Sequence, residues 1–177
     1  MGHCASLFFS AVNAEDTLHY RIKPSDDQVT AQQERWNDVA DTLISEVSQE
    51  TGCSVNTWLQ GSYKFGTQIR PARKGDEFDI DLGIYVTWLG DAKDGAYTAA
   101  ELRSIVEKFL KEYVDHLDGE AAVLDEPKPR CSRIKFNDDF HIDVPVYHLW
   151  NDVRTLATLP NTWEGSDPKA LCIWWKD

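Results

Sequence analysis

Phe78-Asp79-Ile80-Asp81-Leu82-Gly83-Ile84-Tyr85-Val86 is the stretch on which the fold turns. Phe78, Ile80, Leu82, Ile84 and Val86 alternate with Asp79, Asp81, Gly83 and Tyr85, the two-residue period of a strand with one face buried. Both aspartates then project from the opposite face, roughly 7 Å apart by the rise of a strand. Helices lie on either side in sequence. Upstream, Ser25 and Gln28 have capping-box spacing, Trp36, Val39, Leu43, Ile44 and Val47 form an apolar stripe, and Gly52 closes it. Downstream, Thr98 and Glu101 repeat the box ahead of a stripe running Leu102, Ile105, Val106, Phe109, Leu110, Tyr113, Val114 and Leu117.

Shorter elements fill the gaps. Residues 54–59 read as a strand, followed by a glycine-bearing turn, Gln60-Gly61-Ser62-Tyr63-Lys64-Phe65-Gly66-Thr67. After Pro127 and Pro129, a hairpin is expected to pair 131–136 with 140–147 across Asn137-Asp138-Asp139, with Ile142, Val144 and Val146 on one face and His141, Asp143 and Pro145 on the other. Asp167 and Pro168 open a last helix whose Leu171, Trp174 and Trp175 begin an apolar stripe. Two tryptophans on such a helix imply a partner: the remainder of a longer protein, or an oligomer.

Composition bounds the function. The 177 residues amount to one domain, or one and a fragment, and 42% hydrophobic against 27% charged residues is enough for a core. The balance of 18 basic and 30 acidic side chains, net −12, argues against affinity for long nucleic acid through counterion release. A small anionic ligand stays open. No apolar run approaches a membrane span. Cys4, Cys53, Cys131 and Cys172 lie too far apart for a zinc knuckle or redox pair and read as small buried hydrophobes in a reduced, cytoplasmic chain. Met1 to Ser6 fits the formal myristoylation pattern and Leu7 to Val12 could pass for a short signal core. With no Lys or Arg before Arg21, the expectation is instead a short N-terminal helix, within 1–24, packing on the body formed by 25–177.

The paired aspartates suit two divalent cations, because hard ions demand oxygen ligands and a two-metal site clamps the attacking and leaving oxygens of phosphoryl transfer. Asp143 adds a third carboxylate if its strand lies beside the first. In a chain with 30 acidic residues the same pattern also describes an ordinary solvated strand face. Asp76, Glu77, Asp138 and Asp139 fall in that bland class, as turn residues. His141 and His148 read as polar strand residues, since neither has a second soft ligand at a familiar spacing. Positive charge is less evenly spread. Lys64, Arg70, Arg73 and Lys74 lie in an acid-free stretch, as do Lys128, Arg130, Arg133 and Lys135, together eight of the 18 basic residues. Acidic strands beside basic segments are what a metal-bound polyphosphate needs. Gly61 lets backbone approach a phosphate, and Ser62 adds a hydroxyl.

Taken together, Gln60-Gly61-Ser62, Thr67, Arg70-Pro71, Asp79-Ile80-Asp81, Cys131-Ser132-Arg133-Ile134-Lys135 and His141-Ile142-Asp143-Val144-Pro145-Val146-Tyr147 resemble the bacterial cGAS/DncV-like nucleotidyltransferases. The nearest likeness is to the cyclic GMP-AMP synthases of anti-phage (CBASS) signalling, and it extends from about Leu18 to Pro168. The resemblance implies an α+β fold, a polymerase-β-like nucleotidyltransferase core with a mixed sheet flanked by helices. It implies Asp79, Asp81 and Asp143 as the catalytic, metal-binding triad for two Mg²⁺ ions, with Mn²⁺ as the alternative. Gln60, Gly61, Ser62, Tyr63, Lys64 and Phe65 would hold the donor triphosphate, and Arg133 matches a nucleotide-contacting arginine.

Such enzymes join ATP and GTP, without a template, into a cyclic di- or trinucleotide and release pyrophosphate at each step. Members of the family are longer, with a C-terminal helical half that closes the nucleotide cleft. The 177-residue chain is expected to lack that half, leaving Trp174 and Trp175 for it or for a protein partner. Two other classes fit the same residues: a non-catalytic nucleotide-binding or interaction module, and another transferase on the same scaffold, such as a linear oligoadenylate synthase.

Overall fold

The computed structural model describes residues 7–73, 76–117, 122–136 and 140–176. The expected hairpin turn Asn137-Asp138-Asp139, the segment Met1 to Ser6 with Cys4, and Lys74 lie outside these. The apolar face of the key strand, β2 (Phe78–Thr87), packs as its alternation requires. Ile80, Leu82, Ile84 and Val86 are fully buried against two helices, α2 (Asp26–Thr51) through Val39, Leu43 and Val47, and α4 (Ala99–Asp115) through Leu102, Val106 and Leu110. Both helices begin with the expected capping boxes, Ser25 with Gln28 and Thr98 with Glu101, and Gly52 ends α2 in the left-handed conformation. The N-terminal stretch contains α1 (Leu18–Ile22), whose Ile22 carbonyl accepts the Arg70 N–H.

Among the described residues the sheet has eight strands and mixed direction. β1 (Ser54–Gln60) runs antiparallel to β2, Gln60 opposite Asp81. On the other side β5 (Phe140–Val144) and β6 (Val146–Trp150) both run parallel to β2 and in one register, Asp81 opposite Asp143 and Ile84 opposite Val146. The expected strand 140–147 therefore continues to Trp150. Pro145, with no N–H to donate, interrupts it, although its carbonyl still accepts the Ile84 N–H at 3.0 Å. β4 (Ser132–Phe136) pairs with β5 as the sequence predicts, and β3 (Ala122–Leu124) extends that edge.

Beyond the sequence expectation, β7 (Val153–Thr158) returns against β6 and β8 (Thr162–Gly165) against β7. The signal for β7 was local. Asn151 and Asp152 both have positive φ, 47° and 61°, the pattern of a two-residue hairpin turn. The opposite face of the sheet carries Asp79, Asp81, Gly83 and Tyr85, with Gln60 and Trp58 from β1 and Tyr147 from β6. A small second core of Tyr85, Tyr147 and Leu156 packs there. Between β1 and β2 lies α3 (Gly61–Phe65), and α5 (Pro168–Lys176) follows β8, with Asp167 accepting the Ala170 N–H at its start. Cys172 is the residue α5 buries, while Leu171, Ile173, Trp174 and Trp175 stay exposed. Among the described residues no helix is long and apolar enough to cross a membrane.

Candidate active site

Parallel pairing of β2 with β5 builds the site. Asp79 stands opposite His141 and Asp81 opposite Asp143, so all four side chains rise from the same face. Ligand atoms of Asp79, His141 and Asp143 lie within 4.8 Å of one another. Asp81, beside them, is pushed up to about 6 by burial first and then by the charges of Asp79 and Asp143. Asp143 behaves oppositely. Burial acts to raise it, but Arg133, its neighbour across the β4–β5 ladder, outweighs that and holds the carboxyl below its ordinary range. The pair is bidentate, Nε to Oδ1 and Nη2 to Oδ2, the latter at 2.8 Å.

Histidine 141 corrects the sequence reading twice. Its Nδ1 lies 2.8 Å from Oε2 of Glu77, so Glu77 is no bland turn acid but the anchor of this ring. Its Nε2 lies 2.9 Å from Oδ1 of Asp79, an ion-pair contact, and the atom is buried without a hydrogen-bond partner. Burial depresses the pKa of His141, and the carboxylates of Asp79 and Glu77 more than offset it. His148, by contrast, is a core residue, its ring 4.1 Å from that of Trp88. The residues present fit a divalent cation: crowded carboxylates, one of them forced toward its protonated form, and an imidazole nitrogen without an aligned partner.

The glycine turn arrives at the same place. Gly61 has φ +59°, and a β-carbon there would sit 1.9 Å from Oδ2 of Asp81. Only glycine meets both demands. The neighbouring side chains mostly serve the protein itself. Gln60 is buried, donating to the Tyr85 hydroxyl at 2.8 Å and accepting from that of Tyr147 at 3.2 Å. Tyr63 accepts the Trp36 indole N–H at 3.3 Å, Lys64 lies over the Trp58 ring, and the Phe65 ring is 6.0 Å from that of Trp175.

The basic segments are less available than their composition suggests. Arg70 donates to the Lys23 carbonyl, Arg130 pairs with Glu164 at 2.8 Å and Lys135 with Asp125 at 3.4 Å. Arg133 grips the Asp143 carboxylate, and Lys128 acts on Asp143 at longer range.

Two supports escaped the sequence reading. Arg103 of α4 is 1% exposed, and its guanidinium donates to the carbonyls of Lys128, Pro129 and Cys131, each at 3.0 Å, fixing the segment that leads into Arg133. Its signal was present: Arg103 sits at helical spacing from Ala99, Val106 and Leu110, inside the buried stripe. Cys131 is half-buried beside Asp143 rather than a plain core residue. Burial, then the Asp143 charge and a hydrogen bond to it, push its thiol up to about 12.

A mixed sheet with helices on it, three carboxylates converging on β2 and β5, and a glycine turn against them define the class of a nucleotidyltransferase core. Residues 55–147 match the family described as cyclic GMP-AMP synthase DncV-like, nucleotidyltransferase domain, and the chain belongs to that family. It is 33% identical over 172 residues to a cyclic GMP-AMP synthase of Escherichia albertii, covering 97% of this chain and 38% of that protein. Its fold superposes on Escherichia coli DncV in the 3′-deoxy GTP bound form with a TM-score of 0.73 at 22% identity, covering 96% of this chain and 60% of that one. The apo form of Vibrio cholerae DncV gives 0.71, also at 22% identity, over 94% and 59%. The chain thus spans about two fifths of the curated relative and three fifths of the solved chains.

Proposed function

We propose that this chain is the nucleotidyltransferase core of a template-independent cyclic dinucleotide synthase, joining ATP and GTP into a product of the cyclic GMP-AMP type. The observation that carries the reading is the convergence of Asp79, Asp81 and Asp143 on one sheet face, directly against the Gly61 turn. The three aspartates would hold two Mg²⁺ ions, or Mn²⁺. When bound, these ions supply the charge that lowers the pKa of an attacking ribose hydroxyl and neutralises departing pyrophosphate.

The chain's own residues orient the reactants. Gly61 admits phosphate oxygens to the backbone, Ser62 offers a hydroxyl and Lys64 a charge, while Gln60, clamped by Tyr85 and Tyr147, fixes where the turn leaves β1. Arg133, which holds Asp143, would also contact the nucleotide. On this reading residues 25–177 are the catalytic core and 1–24 an N-terminal segment, of which Met1 to Ser6 lie outside the described residues, and the exposed Trp174 and Trp175 would face either the C-terminal part of a longer protein or a protein partner. The setting is antiviral signalling in a bacterial cytoplasm.

The test is incubation of the 177-residue chain, and of a longer protein containing it, with labelled ATP and GTP and Mg²⁺ or Mn²⁺, followed by chromatography. A cyclic dinucleotide from the longer protein, lost in Asp79→Asn, supports the reading. A linear oligomer points to an oligoadenylate-type transferase. No product and no pyrophosphate from either protein points to a binding module.

A further inference from the structure

We propose that Nε2 of His141 is itself a cation ligand, forming with Asp79 and Asp143 a two-carboxylate, one-imidazole set that favours Mn²⁺ over Mg²⁺. The inference rests on the reading of this site as a metal centre and goes beyond the three aspartates. An ionised Glu77 can only accept, so in the 2.8 Å contact Nδ1 is the donor and the ring turns Nε2 toward the site. Nε2 then faces Oδ1 of Asp79 at 2.9 Å, buried and without a hydrogen-bond partner, a separation that suits two ligands of one cation.

A metal ion is placed well. With bonds of about 2.1 Å, adjacent ligands around an octahedral ion stand about 3 Å apart. The His141 side chain is 10% exposed and its Nε2 is buried, facing the Asp79 carboxylate. The third donor, Asp143, keeps lone pairs beyond those given to Arg133 and lies within 4.8 Å of the other two ligand atoms. A carboxylate gripping the far nitrogen of a histidine is the arrangement that orients metal-bound imidazoles and raises their basicity. Imidazole suits transition metals, whereas Mg²⁺ prefers oxygen and water.

The direct measurement is pulsed electron paramagnetic resonance of Mn²⁺ bound to the 177-residue chain. One imidazole ¹⁴N coupling is expected, absent in His141→Gln. By titration, His141→Gln and Glu77→Gln should each weaken Mn²⁺ binding about tenfold, and His141→Gln should change Mg²⁺ binding less than about twofold. Mn²⁺ bound with no ¹⁴N coupling, and binding abolished by Asp79→Asn, would overturn the His141 assignment while leaving the aspartate site intact. Mn²⁺ binding untouched by Asp79→Asn, or absent altogether, would remove both.

Discussion

Gly61 packs so closely on Asp81 that the space for a single methyl group is already taken by Oδ2 of the carboxylate. The turn and the carboxylate cluster are therefore one object, and neither can shift without the other. Gly61→Ala must strain a backbone at φ +59°, a cost of about 1–2 kcal/mol, and also push Asp81 aside. We expect the melting temperature to fall by several degrees and Mn²⁺ affinity to fall at least tenfold. A variant that melts earlier yet keeps its affinity would reduce the close approach to packing.

Asp81 is ionised against its environment. Its native pKa of about 6 exceeds the ordinary 3.8, so its contribution favours the fold fully below pH 4 and is lost as pH rises through 6. Asp81→Asn should therefore stabilise the metal-free protein at pH 7.5 by ~1–2 kcal/mol. The full displacement corresponds to ~3 kcal/mol, reduced here by solvent screening of a part-exposed group. Urea titrations at pH 4 and 7.5 measure this, and the gain should vanish at the lower pH while nucleotidyl transfer is lost at both.

Arg133 has the opposite sign. Asp143, held below its ordinary range, adds stability above the unfolded pKa that is lost as pH falls through the lowered native value. Arg133→Met leaves a half-buried carboxylate without its partner and should cost ~1–3 kcal/mol at pH 7. Denaturation followed between pH 7 and 3 should show the deficit shrinking as Asp143 protonates. Saturating Mn²⁺ should also shrink it.

Arg103 should prove the most sensitive position outside the carboxylates. Arg103→Met keeps the apolar stem but strips three carbonyls of their donor, and we expect ~2–4 kcal/mol of destabilisation. At temperatures where the variant stays folded, looser placement of Arg133 should raise KM for nucleotide more than it lowers kcat. Equal changes in both would confine Arg103 to stability.

Much of this architecture was legible along the chain because its causes are local. Capping boxes at Ser25 and Thr98 and the alternation through β2 depend on spacings within ten residues, and each stands where its pattern puts it. The basic segments read less well. A lysine or arginine reaches far enough that its partner is chosen by whatever strand lies nearby, and Arg130 and Lys135 end on Glu164 and Asp125.

Sequence alone settled that Asp79 and Asp81 share a strand face and that Gly61 heads a turn, since the pleat and the backbone freedom of glycine are properties of the segments themselves. Only the tertiary structure decided who stands beside them. The parallel register of β2 and β5 brings together residues more than sixty positions apart, setting His141 against Asp79, with Glu77 behind it, and Asp143 against Asp81. No local rule encodes that register; burial of two strand faces on common helices does.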